Sequence, residues 1–182
     1  MIQFLKEKVI KFEGFDAREV YWISVDTVTF VTEEFCLDPS SEWFDWKSHG
    51  SGLKYEFALA LRRAEIVLVR GPAKPGTEQD SVIFRGGGKN DKNLDKTALY
   101  PLLPPGKKAI GDSGYKGMPQ KVTITRGKHS PEMKKFLARA KSRQESLHSK
   151  LKFSTVCITN SVTGKTPKKK WSCTRCALKR SR

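Results

Sequence analysis

The hydrophobic pattern sharpens at Val20. Val20, Tyr21, Trp22, Ile23 and Val25, followed by Val28, Phe30 and Val31, are β-branched and aromatic with little helical spacing, as in a buried strand. Asp26 falls inside this run, where a charge is costly unless paired or bound to a metal. It reads either as a residue in the middle or at the end of one strand, or as a turn aspartate between two hairpin strands. Leu53–Leu61 and Ile66–Val69, separated by Arg62-Arg-Ala-Glu65, predict a hairpin. Gly71-Pro-Ala-Lys-Pro-Gly76 is expected to break the sheet. Thr77 or Asp80 then signals a helix start; Asp80 is expected to cap or begin that helix, the alternative being a place close to a cleft.

Residues 86–96 form a polar, flexible loop. Their three consecutive glycines lack the Lys-Ser/Thr that follows in a nucleotide-phosphate loop. After Pro104-Pro-Gly106, the run Ala109-Ile-Gly-Asp112 predicts a strand ending in an acid. Gly111 and Gly114 let the backbone turn there, so that Asp112 points into a cleft. Lys121–Thr125 predicts one more strand. Ser130-Pro-Glu-Met133 supplies a helix cap, a proline at the first position and an acid in the first turn. Met133, Phe136, Leu137, Ala140, Leu147 and Leu151 follow on one helical face. Glu145 lies roughly 120° from the centre of that stripe, a flank that either looks into a cleft or is solvated. Residues 1–20 are weakly patterned and read as a short amphipathic helix or an edge strand. Residues 33–52 are loop-like, with Trp43, Phe44 and Trp46 expected to pin the loop to the body, stacking on bases being the alternative.

Charge changes the picture. The 182-residue chain carries a net +16, yet residues 1–115 hold 16 Lys/Arg against 17 Asp/Glu, whereas residues 116–182 hold 19 against 2. The excess lies in the last third of the chain and favours a polyanionic partner, since phosphate neutralisation releases counterions. A solubilising surface with a basic tail is the plainer alternative. No run of about eighteen apolar residues offers a membrane span, and the charged N-terminus lacks the apolar region of a signal peptide. With Cys36 and Cys157 isolated and only Cys173 and Cys176 forming a pair, the protein is expected to be intracellular. The length suits one domain. From about Val156 the pattern dissolves, and residues 157–182 are expected to be a disordered basic tail. Lys168, Lys169 and Lys170 suggest a nuclear import signal or a DNA-phosphate patch. Cys173 and Cys176 have zinc-knuckle spacing without a second pair of ligands.

Strands, a helix, two further strands and a helix bearing the last acid follow the order of an RNase H-like domain. The segments Ser24-Val-Asp26, Trp43 to Glu56, Arg70-Gly-Pro72 with Asp80-Ser-Val-Ile-Phe-Arg85, Gly111-Asp-Ser-Gly-Tyr115 and Arg143-Gln-Glu-Ser146 with Lys150-Leu-Lys-Phe153 resemble the DDE-type endonucleases of Harbinger-like transposases. This resemblance spans residues 20–156. It implies an α/β fold with a mixed central sheet flanked by helices. Asp26, Asp112 and Glu145 would be the catalytic carboxylates, holding Mg²⁺ or Mn²⁺ for two-metal phosphoryl transfer on DNA. Lys141 and Arg143 would position the phosphate backbone without reading bases. The chain departs from the family pattern at Thr27, where glycine is usual, and at Gln144, where histidine is frequent. It lacks the family's N-terminal DNA-binding module and reads as a truncated member, with residues 1–19 as an extension. A separate DNA-binding protein would then supply specificity, and a homo-oligomer is a further expectation. The competing expectations are a catalytically inactive nucleic-acid-binding remnant and a partner-binding protein whose zinc knuckle another chain completes.

Overall fold

The computed structural model describes residues 20–32 and 40–163, with residues 153–163 as backbone only. The chain is a mixed α/β structure built around strand β1, Tyr21–Val31. Strand β2 (Phe44–Asp45) is brief, and β3 (Gly50–Ala60) and β4 (Ile66–Ala73) form the expected hairpin. Two short helices follow, α1 (Asp80–Arg85) and α2 (Leu99–Leu102), then β5 (Lys108–Gly111), β6 (Val122–Ile124) and the long helix α3 (Pro131–Thr163). The sheet order is β2-β3-β1-β5-β6, with β4 also paired to β3. β1 runs antiparallel to β3, from Ile23 opposite Ala60 to Val31 opposite Gly52. It runs parallel to β5, which is parallel to β6.

The β1 run is apolar almost throughout because both faces of the strand are covered. Ile23 and Val25 face the cluster made with Ala58, Phe84, Leu99, Ala109 and Tyr115. The opposite face of the sheet meets α3: Val28 of β1 packs with Phe57, Leu59 and Leu147, and Ile110 of the neighbouring β5 packs with Phe136, Leu137 and Ala140. Period-two alternation therefore sends Ser24 and Asp26 towards α3 and Thr27 towards α1.

Several expectations are settled by this arrangement. Asp26 sits in the middle of one uninterrupted strand, not in a turn. The expected break at Gly71 does not occur: β4 continues to Ala73, with a shifted register opposite Lys54 and Glu56. Gly71 is what permits this, since its φ is +146° and a Cβ there would stand 2.6 Å from the Tyr55 ring. Ser130 caps α3 as expected, its Oγ accepting the Met133 N–H at 3.2 Å. The α3 backbone reaches Thr163, so the tail boundary expected near Val156 falls inside a helix. No proline or glycine interrupts the sequence between Pro131 and Gly164, so nothing local stops the helix at residue 156. Helix α2 was not legible in advance. In the aromatic loop, Phe44 and Trp46 pack edge-on with centroids 5.0 Å apart, yet Trp46 remains 76% exposed.

Candidate active site

A cavity of about 620 Å³ opens between α3 and the sheet. Asp26 from the middle of β1, Asp112 just beyond β5 and Glu145 from α3 all line it, so the three acids expected from sequence share one cleft. Lys141 lines it as well.

Asp26 is the innermost. Its Oδ1 accepts the Thr27 N–H at 2.9 Å, and its Oδ2 stands 3.7 Å from Nδ1 of His148. Burial, reinforced by the Asp112 and Asp80 charges, pushes its carboxyl up to about 7, against the pull of the Thr27 N–H and the Lys47 charge. A carboxyl in this state gains from a cation that supplies the missing positive charge. Burial also pushes His148 down to about 4, with Lys152 and Lys47 adding to the effect. The imidazole is therefore neutral at physiological pH, and its approach to Asp26 is not an ion pair.

Asp112 begins a 3₁₀ turn, Ser113–Tyr115, by accepting the Gly114 N–H at 2.7 Å through Oδ1. The turn is anchored by Tyr115, whose ring is wholly buried. A Cβ at Gly111 would stand 2.9 Å from that ring. A Cβ at Gly114 would collide with Asp80 Oδ2 and stand 3.1 Å from Asp112 Oδ1. Glycine at residue 114 thus lets two carboxylates converge.

Both sequence alternatives for Asp80 are realised at once. It begins α1 and also lines the cavity. Its Oδ1 accepts from Thr27 Oγ1 at 2.8 Å and from Lys54 Nζ at 3.3 Å. Thr27, the departure from glycine in the resemblance, thereby ties β1 to a further acid of the cleft.

Glu145 stands at the rim. Its side chain is 61% exposed and lies 3.5 Å from Lys141 Nζ. Among the described residues no three His, Cys, Asp or Glu side chains form a group that could hold a metal ion. The oxygen donors of Asp26, Asp112 and Asp80 are the right chemistry for a hard divalent cation. All three line the cavity, and Glu145 lies on their outer side.

Arg143 requires a correction. Expected beside a DNA backbone, it is 1% exposed and donates instead to the carbonyl of Ala60 and, at 2.7 Å, to that of Arg63. It lies three residues after Ala140 and four before Leu147, on the inward stripe of α3, where a guanidinium satisfies the carbonyls at the end of β3. Gln144 is buried beside it. It accepts from Ser24 Oγ at 3.1 Å and donates to the Phe57 carbonyl at 2.8 Å. These two residues set the rotation of α3 and hence the side on which Glu145 emerges.

Sequence reasoning gave no site role to Lys47, Lys54, His148 or Lys152, all of which line the cavity. For His148 and Lys152 a signal was available, since residues 141, 145, 148 and 152 recur at helical spacing. Lys47 is brought over the cleft by the turn between β2 and β3, where Asp45 accepts from the Lys47 N–H at 3.1 Å and from Ser48 Oγ at 2.7 Å. Lys168, Lys169, Lys170, Cys173 and Cys176 lie outside the described residues. Compared with known proteins, the chain matches no family model, no curated protein and no solved structure.

Proposed function

We propose that this chain is a divalent-metal-dependent endonuclease of the DDE type, with an RNase H-like fold, that cleaves phosphodiester bonds in DNA. The observation that carries the reading is the sharing of one cleft by Asp26, Asp112 and Glu145 from β1, the end of β5 and α3. The fold reading is supported by an antiparallel β4-β3-β1 unit continued by β5 and β6 parallel to β1, before the helix with the last acid.

Asp26 and Asp112 would hold the ions, with Glu145 at the outer edge. A bound Mg²⁺ or Mn²⁺ would supply an activated nucleophile and charge stabilisation for the leaving oxygen. The chain's own residues account for the rest. Lys47, Lys141 and Lys152 offer cationic side chains to a phosphate backbone at the cavity wall, a sequence-independent attraction. Thr27 and Lys54 hold Asp80 in place, so that its charge keeps acting on Asp26. The basic last third of the chain favours DNA as the partner, and a nuclear location follows from that substrate.

A second reading, a DNA-binding remnant without activity, is favoured by the exposure of Glu145 and its contact with Lys141. Plasmid nicking by the purified chain in Mn²⁺ separates the two, with Asp112→Asn as the control. The enzyme reading predicts nicking that the substitution reduces at least about a hundredfold, and a rise in melting temperature on adding Mn²⁺. Equal DNA binding by both proteins, with no nicking and no Mn²⁺ shift, would leave the remnant.

A further inference from the structure

The cavity wall includes one imidazole, His148. Two contacts determine where it points. On α3 it follows Glu145 by three residues and lines the cleft with Lys141, Glu145 and Lys152. Against the sheet its ring meets Phe57 edge-on, with centroids 6.1 Å apart, and Nδ1 is presented to β1. There Nδ1 stands 3.7 Å from Asp26 Oδ2, too far for a hydrogen bond. Adjacent ligands of a six-coordinate cation with bonds of about 2.1 Å are separated by about 3 Å. A small movement of either side chain brings both atoms onto one ion.

We propose that His148 and Asp26 ligate the same cation, and that the cleft therefore takes a transition ion such as Mn²⁺ or Co²⁺ in preference to Mg²⁺. This rests on the metal-dependent reading of the cleft and sharpens it. Mg²⁺ prefers an all-oxygen octahedral shell and keeps much of its water, whereas imidazole suits later divalent ions. The carboxylate that α3 could offer, Glu145, is turned outward to Lys141. His148, one turn further along, is the α3 donor that reaches Asp26. Its side chain is also largely buried and packs edge-on against Phe57, so only a small adjustment is left to make when the ion binds.

Calorimetric titration of the full chain with Mn²⁺, Co²⁺ and Mg²⁺ tests this, in a Cys173→Ser, Cys176→Ser background that removes competing thiols. Mn²⁺ is expected to bind about tenfold or more tightly than Mg²⁺. His148→Phe, which keeps the aromatic packing on Phe57, and His148→Asn, which keeps a polar group, should both erase that preference while leaving Mg²⁺ affinity within about twofold. The visible spectrum of bound Co²⁺ should lose its nitrogen-ligand signature in both variants. A preference for Mn²⁺ that survives in either folded variant, while Asp26→Asn abolishes binding, overturns the role of His148 but keeps the metal site. Absence of binding by the parent chain removes the metal site itself, and this inference with it.

Discussion

Two neighbouring rungs join β1 to α3, and they are finished differently. Ser24 and Asp26 lie two residues apart on the same face of β1; Gln144 and His148 lie one turn apart on α3. The first rung is closed: Ser24 donates to Gln144 at 3.1 Å, Gln144 donates onward to Phe57, and both residues are buried. The second is open: Asp26 and His148 stop 3.7 Å apart in a cavity where Asp112 and Asp80 press on the same carboxyl. Buried polar groups stabilise a fold only when their partners are supplied. The closed rung is architecture, while the open rung keeps ligand capacity in reserve.

The largest effect should come from breaking the closed rung. Gln144→Ala leaves Ser24 Oγ and the Phe57 carbonyl without this partner and opens space beneath α3. A loss of about 3 kcal/mol in urea unfolding is expected. A loss below about 0.5 kcal/mol would show that the rung does not anchor the helix.

The open rung should reveal itself through pH. Asp26 is raised from 3.8 to about 7, and Glu56, buried on the opposite face of the sheet, is raised from 4.5 to about 8 mainly by that burial. Each holds its proton longer folded than unfolded, so its contribution is fully present at acid pH and is lost as pH rises through the folded value. His148, lowered from 6.5 to about 4, acts oppositely, and its contribution is lost only as pH falls below 6.5 towards 4. Above pH 6.5 the two carboxyls act alone. Metal-free protein should lose on the order of 2 kcal/mol between pH 6.5 and 8.5. Asp26→Asn should remove part of that slope and Glu56→Gln another part, followed by thermal melts across the range. A flat profile in the parent protein would contradict the assignment.

The smallest change calibrates the others. Ser130→Ala removes the α3 cap far from both rungs and should cost about 1 kcal/mol in the same denaturation assay. It should leave the pH slope unchanged, whereas a change in slope would mean that the slope reports helix α3 as a whole.

Much of this was legible in the chain because the signals were local. A β-branched and aromatic run predicts β1, two such runs with a short gap predict β3 and β4, and Ser130-Pro131 announces α3. Asp112 was readable because glycines flank it, and period-two alternation sends Asp26 to a definite face once its strand is known. Arg143 was misread because an arginine on a basic helix resembles a surface residue. Its inward position depends on the carbonyls of Ala60 and Arg63, which come within its reach only where the β3–β4 hairpin meets the helix.

By itself, then, the sequence determined the kinds of elements, most of their order and the three acids set on separate elements, because backbone propensity, side-chain alternation and capping act over a few residues. Only the tertiary structure decided that Asp80 would join the cleft through Thr27 and Lys54, that Lys47 would be carried over it, and that His148 would stop opposite Asp26. Those meetings depend on strand register and on the rotation of one helix, which are resolved by packing between residues far apart in the chain.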